Sequence, residues 1–204
     1  MSNSNLVLDD TKKESWAELV RLGMTNSISG LSEMVGQEIT ITSLESRVIE
    51  VKDIAEMFGG PETPAAAIYL SVSGVASGHM IIIYSPQTAF DLIDMLLGEP
   101  PGTTTELGEM EESVLGEMGN IVGSFFLSTM SDTTSLDLRV STPSVMMDMA
   151  GAVLDAMTAE IMLEADEALV METTFGTKDM QINGKFLALP SPDLQFALLE
   201  NWSN

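Results

Sequence analysis

Between residues 111 and 130 the apolar positions recur at about 100° per residue. Val114, Met118, Ile121, Val122 and Phe125 gather into one stripe, which predicts an amphipathic helix with a face to bury. Ser113, Glu117, Asn120 and Ser124, spaced i, i+4, i+7 and i+11, fall together on the opposite side, so a carboxylate and a carboxamide share one polar face. Gly116, Gly119 and Gly123 form a row between the two. Glycine costs roughly 0.8–1.0 kcal/mol against alanine in a helix interior, so three on one flank predict that another backbone approaches closely there. The spacing alone fits an ordinary solvated surface as well as it fits a site.

Elsewhere the pattern predicts shorter elements. Residues 14–35 carry helical spacing in Trp16, Leu19, Leu22 and Leu31, and Gly36 suits a C-terminal cap. Residues 38–44 alternate apolar and polar with β-branched side chains, the pattern of a half-buried strand. Residues 51–58 read as a short helix before the breaker GGPETP. Strands follow at 66–73 and 79–84, and Pro86, in the first-turn position that proline tolerates, opens a helix through Leu97. EPPGTTTE, residues 99–106, is a linker. Beyond the helix of 111–130 come a strand at 135–141, a helix at 148–157, strands at 168–175 and 185–189, and a helix from Pro192.

The order of elements therefore repeats, and local identities go with it. GHMIIIYSP at 78–86 stands over GKFLALPSP at 184–192, Asp53-Ile54-Ala55 over Asp148-Met149-Ala150, and Ala67-Ile68-Tyr69-Leu70 over Ala168-Leu169-Val170-Met171. Two such halves, each with a sheet face to cover, predict an α/β fold with approximate two-fold symmetry. Its duplicated unit is helix, strand, short helix, two strands and helix, joined into one shared sheet with helices packed on it. The expected organisation is a frayed terminus at 1–13, a first repeat at 14–98, a linker at 99–108 and a second repeat at 109–204, all in one continuous domain.

Length, composition and charge narrow the function classes. The 204 residues, 45% of them hydrophobic, suffice for one large domain or two lobes sharing a core. No apolar run approaches the roughly 18 residues of a membrane span, and MSNSNLVLDDTKKES lacks the basic and apolar regions of a secretory signal. A cytoplasmic location without membrane insertion is expected. Eight basic residues against 31 acidic ones give a net charge of −23, which repels nucleic acid, so none is expected as a partner. With no cysteine and His79 as the single histidine, disulfides, thiolate nucleophiles, Cys-ligated zinc and His-rich metal sites are excluded. Carboxylates abound without gathering at ligand spacing, so no metal or other cofactor of the protein's own is expected.

Aligning the repeats sets Glu14, Glu18 and Arg21 over Ser113, Glu117 and Asn120. One copy holds an amide where the other holds a guanidinium, so the two faces cannot share one chemistry. The second half reads Ser113-x3-Glu117-x2-Asn120-x22-Pro143. That resembles the signature of the CheC/CheX/FliY family of chemotaxis phosphatases: Asp or Ser, three residues, Glu, two residues, Asn, twenty-two residues, Pro. Every fixed position is met, and the chain length looks more like CheC than the shorter CheX or the longer FliY.

The resemblance implies a pseudo-two-fold α/β fold whose signature helices face solvent, and a substrate that is the aspartyl phosphate of the response regulator CheY. It implies that Glu117 engages the lysine of the regulator's active site and that the Asn120 carboxamide positions the attacking water. Mg2+ is expected in the CheY partner. This division suits the chemistry, because an acyl phosphate is already activated and needs a water held in line with phosphorus more than a nucleophile. A neutral amide both donates and accepts hydrogen bonds without adding negative charge beside the phosphoryl group. Of the other motif positions, Ser113 either contacts the partner or stays solvated, and Pro143 ends a strand and turns the chain.

The first copy departs from the signature. Arg21 replaces the asparagine, Leu44 stands where the proline would be, and Glu14 replaces the Asp or Ser. Guanidinium donates but does not accept, so Glu18 and Arg21 mark a degenerate first site and are spaced to form a surface ion pair. The segment Ser144-Val145-Met146-Met147-Asp148-Met149-Ala150 resembles the exposed helix with which CheC proteins bind the receptor deamidase CheD, making Asp148 a candidate contact, although an acidic helix start is equally a capping device. The alternative to a phosphatase is a non-enzymatic CheY-binding or flagellar-switch-type protein akin to the middle domain of FliM.

Overall fold

The computed structural model describes residues 10–161 and 167–202. The first half comprises helix α1 (Asp10–Val35), strand β1 (Thr40–Glu50), two short 3-10 segments (Val51–Asp53 and Ala55–Phe58), strands β2 (Pro64–Gly74) and β3 (Gly78–Tyr84), and helix α2 (Pro86–Leu97). The second comprises α3 (Glu109–Thr134), β4 (Leu138–Val140), β5 (Ser144–Met149), α4 (Ala150–Ile161), β6 (Glu167–Gly176), β7 (Gln181–Pro190) and α5 (Pro192–Asn201). The two Ser-Pro pairs cap helices as their chemistry dictates. The hydroxyls of Ser85 and Ser191 accept from the N–H groups of Thr88 at 3.1 Å and Leu194 at 3.2 Å, with proline in the first turn each time.

The strands join into a single antiparallel sheet in the order β1-β6-β7-β3-β2-β4, with β5 also pairing β2. The halves exchange strands: β1 lies on β6, β4 and β5 lie on β2, and β3 meets β7 at the centre. Ile81 pairs with Leu187. Each stands three residues beyond its repeat's glycine, Gly78 or Gly184, so an approximate two-fold axis passes between them. The α/β sandwich with one shared sheet expected from the duplication is thus the observed architecture.

Both sheet faces are covered. On one, α1, α2, α3 and α5 bury Ile68, Leu70, Met80, Ile82 and Phe186; on the other, the 3-10 segments and α4 bury Ala67, Ile81, Ile83 and Leu187. Removing each such aliphatic side chain from water contributes about 1.5–3 kcal/mol. Helices α1 and α3 run antiparallel to one another over small residues. A Cβ on Gly23 would fall 2.6 Å from the Phe126 ring, and the buried Ser27 hydroxyl donates to the Val122 carbonyl at 2.9 Å. In the repeat alignment Gly23 matches Val122 and Ser27 matches Phe126, so these two contacts are images of each other.

Four expectations are corrected. Leu115, Met118, Val122, Phe126 and Met130 form the buried stripe of α3, while Val114 and Ile121 are half-buried and Phe125 stays 39% exposed, its ring packed over Gly30. The stripe is rotated because the glycines belong to the buried side rather than to a flank. The predicted strand of 135–141 shrinks to β4, since α3 runs on to Thr134 and Ser135 then turns the chain at φ 58°. Residues 144–149, assigned to an exposed helix, form strand β5: their run of unbranched methionines favours a helix locally, but pairing with β2 from Pro64 to Tyr69 overrides that preference. Finally, α1 begins at Asp10, and Leu22, expected in its apolar stripe, is exposed. None of the described helices is long and apolar enough to cross a membrane.

The connection between the halves is tied down by one side chain. Asp94, fully buried at the end of α2, accepts hydrogen bonds from the N–H groups of Gly102 at 2.8 Å, Thr103 at 3.0 Å and Thr104 at 2.9 Å. Burial pushes its pKa up, but the bonds from Thr104, Thr103 and Gly102 together outweigh burial and hold it below the ordinary carboxylate value. A depressed folded-state pKa contributes stability that is present above the unfolded carboxylate range, near pH 4, and is lost as pH falls through the folded value. Asp94→Asn is expected to lower unfolding stability at pH 7 by about 1–3 kcal/mol. In denaturant titrations the gap between the two proteins should close as pH drops below about 4.

Candidate functional site

The signature residues sit on the outer side of α3 because two glycines fix how that helix lies. A Cβ on Gly119 would come 2.5 Å from Ile68 Cγ2 and 3.4 Å from Pro143 Cβ, and one on Gly123 would come 2.9 Å from Leu70 Cδ2. With hydrogen in those places, α3 settles directly on β2 and against the turn at Pro143. The side of the helix about 60–160° round from these two glycines carries Ser113, Glu117 and Asn120, all exposed, with Ser124 half-buried. Three acidic residues in the first turn, Glu109, Glu111 and Glu112, complement the positive end of the helix dipole, and Glu111 Oε2 accepts from the Gly108 N–H at 3.1 Å.

Glu117 and Asn120 stand one turn apart, and among the described residues neither makes a hydrogen bond or ion pair. Their polar atoms are therefore available to another molecule. A carboxylate offers acceptors to a cation, and the carboxamide offers both a donor pair and an acceptor.

Pro143 breaks the sheet edge that follows. With no N–H to give, it separates β4 from β5, and Ser141 bridges the break: its N–H donates to the Ser71 carbonyl at 2.9 Å and its hydroxyl accepts from the Ser71 N–H at 3.0 Å. In the first half, Leu44 occupies the matching place inside the unbroken β1. Gly119 and Ser141, which orient α3 and seat Pro143, were not singled out for those roles from the sequence. The glycine row was the available signal for the first, and nothing in the local pattern marks the second.

The degenerate face has closed on itself. Arg21 Nε lies 3.7 Å from Glu18 Oε2, with both side chains about half exposed, and Arg21 Nη1 donates to the Leu44 carbonyl at 3.4 Å. Glu14 is exposed one turn before Glu18. Asp148 is exposed on β5, where its Oδ1 accepts from the Met149 N–H at 2.7 Å, so it caps no helix. A cleft of about 450 Å3 opens elsewhere, lined by Glu45, Glu172, Asn183, Lys185 and Ser85 among others. It contains none of the signature residues.

This architecture and this face define a duplicated sheet-and-helix protein of the CheC-like class. The model of the CheC-like family matches residues 110–147, the stretch from α3 through Pro143 to β5. The CheY-P phosphatase CheC of Bacillus subtilis is 29% identical over 178 residues, covering 86% of this chain and 85% of that protein. The crystal structure of Thermotoga maritima FliY superposes with a TM-score of 0.75 at 17% identity, covering 97% of this chain and 98% of that one. The FliM middle domain from H. pylori superposes with a TM-score of 0.62 at 14% identity, covering 95% and 99%. The chain is thus similar in sequence to CheC over most of its length and shares the fold of FliY.

The glycine contact gives a direct test of how the face is presented. Gly119→Val places branched carbons against Ile68 and Pro143, and overpacking of this kind costs about 1–3 kcal/mol. The variant is expected to melt several degrees below the parent in a calorimetric scan; an unchanged melting temperature would contradict the close packing of α3 on β2.

Proposed function

We propose that this protein is a phosphatase that hydrolyses the aspartyl phosphate of the chemotaxis response regulator CheY. The observation that carries the reading is the exposed pair Glu117 and Asn120, one turn apart and unengaged within the chain. The likeness to the Bacillus subtilis CheY-P phosphatase CheC over most of both chains supports the same substrate.

In this reading Asn120 enters the regulator's phosphorylated pocket and holds a water in line with phosphorus, its carbonyl accepting from the water and its NH2 donating toward the phosphoryl oxygens. The water attacks phosphorus, the acyl P–O bond breaks, and inorganic phosphate leaves with the regulator's aspartate restored. Glu117 forms a charge-assisted bond to the lysine ammonium that otherwise steadies the phosphate. Mg2+ is supplied by the regulator and offsets charge on the phosphoryl group. Ser113, one turn before Glu117, contacts the docked regulator, and Pro143 keeps the ground beside Asn120 clear. Asp148 on β5 is the proposed contact for CheD as a second partner.

A non-enzymatic reading, in which the protein binds CheY or serves in a flagellar switch as a FliM-like domain, is favoured by one observation: the Glu18–Arg21 pair leaves one of the two faces without the amide. The two readings part on a phosphate-release assay. Asn120→Ala is expected to reduce acceleration of CheY dephosphorylation by about 100-fold or more, because water orientation is lost. Glu117→Gln is expected to raise KM about tenfold with a smaller change in kcat. Both exposed substitutions should leave the melting temperature within about a degree of the parent. Phospho-CheY that decays no faster with the parent protein than alone would leave the binding reading standing.

A further inference from the structure

A gap opens where β3 ends beside β7, and again where β7 ends beside β3. In the repeat alignment Tyr84, Thr88, Thr173 and Lys185 match Pro190, Leu194, Val72 and His79. The first set lines the 450 Å3 cleft, and the second lines a hollow of about 20 Å3. Val72, Pro190 and Leu194 thus help to close one image with apolar side chains, while the other stays open and polar. A volume of 450 Å3 is in the range that holds a small molecule. We infer that this cleft binds a free amino acid as its zwitterion, the ligand's carboxylate taken by Tyr84, Asn183 and Lys185 and its ammonium by Glu45.

Tyr84 is the group that calls for a ligand. It is 4% exposed and lines the cleft, yet its hydroxyl makes no hydrogen bond among the described residues. Buried polar groups are ordinarily paired, because one left unpaired forfeits the bond it made with water. Burial also pushes the phenol's pKa up, so it stays protonated and offers a donor. The ring fits here because position 184 is glycine: a Cβ there would fall 2.5 Å from Tyr84 Cε1. Asn183, next to that glycine, accepts from the Thr174 hydroxyl at 2.6 Å through Oδ1, and among the described residues its NH2 has no partner.

Charge sets the rest of the ligand. Glu45, Glu172 and Lys185 are register neighbours on β1, β6 and β7, so the outer two stand about 10 Å apart at Cα. Glu172 is held by Arg47 at 2.5 Å, and the Lys185 ammonium donates to the Met57 carbonyl at 3.2 Å. Glu45 makes no hydrogen bond or ion pair among the described residues. An acid on one side of the cleft and a base on the other complement a ligand that carries both charges. A plain anion would meet Glu45 in a chain of net charge −23, and a plain cation would meet Lys185. A zwitterion, neutral overall, avoids both repulsions.

The test is a calorimetric titration of the full chain with the standard amino acids, one at a time, and with acetate, methylamine and glucose as controls. At least one amino acid is expected to bind, and none of the controls. Tyr84→Phe and Glu45→Gln are each expected to weaken that binding about tenfold or more. Thr88→Leu, which copies the lining of the closed image, is expected to abolish it. Glu45 is exposed and Thr88 half-buried, so their variants test the site even if Tyr84→Phe fails to fold. No heat with any amino acid would mean that the cleft holds water only, and would overturn the inference. So would a control that binds as tightly as the amino acids, or binding that any folded variant of the three leaves intact.

Discussion

Gly119 and Gly123 let α3 lie so near β2 that a Cβ on either would fall within 2.9 Å of an Ile68 or Leu70 methyl. That contact sets the rotation of the helix about its own axis, and rotation decides what the helix shows. Were side chains present at those two positions, α3 would have to lift or turn, and the polar face farther round the helix would shift with it. The helix-propensity penalty of two interior glycines, about 2 kcal/mol together, is offset by the burial their absence of side chain allows: Leu115, Met118, Val122 and Phe126 all reach the core. The surface presentation of Glu117 and Asn120 is in this sense a consequence of core packing on the other side.

Duplication extends the same constraint to the first half. The strand exchange about Ile81 and Leu187 places α1 and α3 in equivalent surroundings, and the paired contacts of Ser27 with Val122 and Phe126 with Gly23 hold them there. Two faces are thus built on one frame, and their difference comes down to a few side chains. Where α3 has an amide beside a proline turn, α1 has a guanidinium drawn onto the Leu44 carbonyl of a continuous strand. A frame that tolerates both is one whose stability does not depend on either, as expected for exposed positions on packed helices.

Much of the fold was legible because its strongest signals are local. The Ser-Pro helix starts at Ser85 and Ser191 follow directly from capping chemistry. The fully buried β3, in which every residue from Gly78 to Tyr84 is buried, is recognisable from its continuous apolar run. The misread elements are those decided by distant partners. Residues 144–149 carry helix-favouring methionines and become a strand because β2 offers an edge. The phase of α3 was misjudged because a glycine reads as neutral in a hydrophobic pattern, although here it marks close packing on β2. Asp94 looked like one of many acidic residues; only the fold brings the three linker N–H groups to its carboxylate. On the candidate site, the residue types, their shared helical face and its turn toward solvent were legible, while the seating of Gly119 against Ile68 and Pro143 required the tertiary structure.

The position of the candidate face outside the 450 Å3 cleft agrees with the chemistry proposed for it. An enzyme that must activate a nucleophile does so by desolvating and charging it, which takes a concave pocket and shifted pKa values. Hydrolysis of an acyl phosphate held in another protein needs neither, because the pocket, the cation and the leaving group all belong to the partner. What the visiting protein must bring is one amide at a fixed distance from one carboxylate, carried on an element stiff enough to enter the partner's pocket without bending. A 26-residue helix clamped by glycines against a sheet supplies that stiffness. The 450 Å3 cleft beside Lys185, for all its volume, holds none of the signature residues, so on this chemistry the exposed helix face is the better candidate.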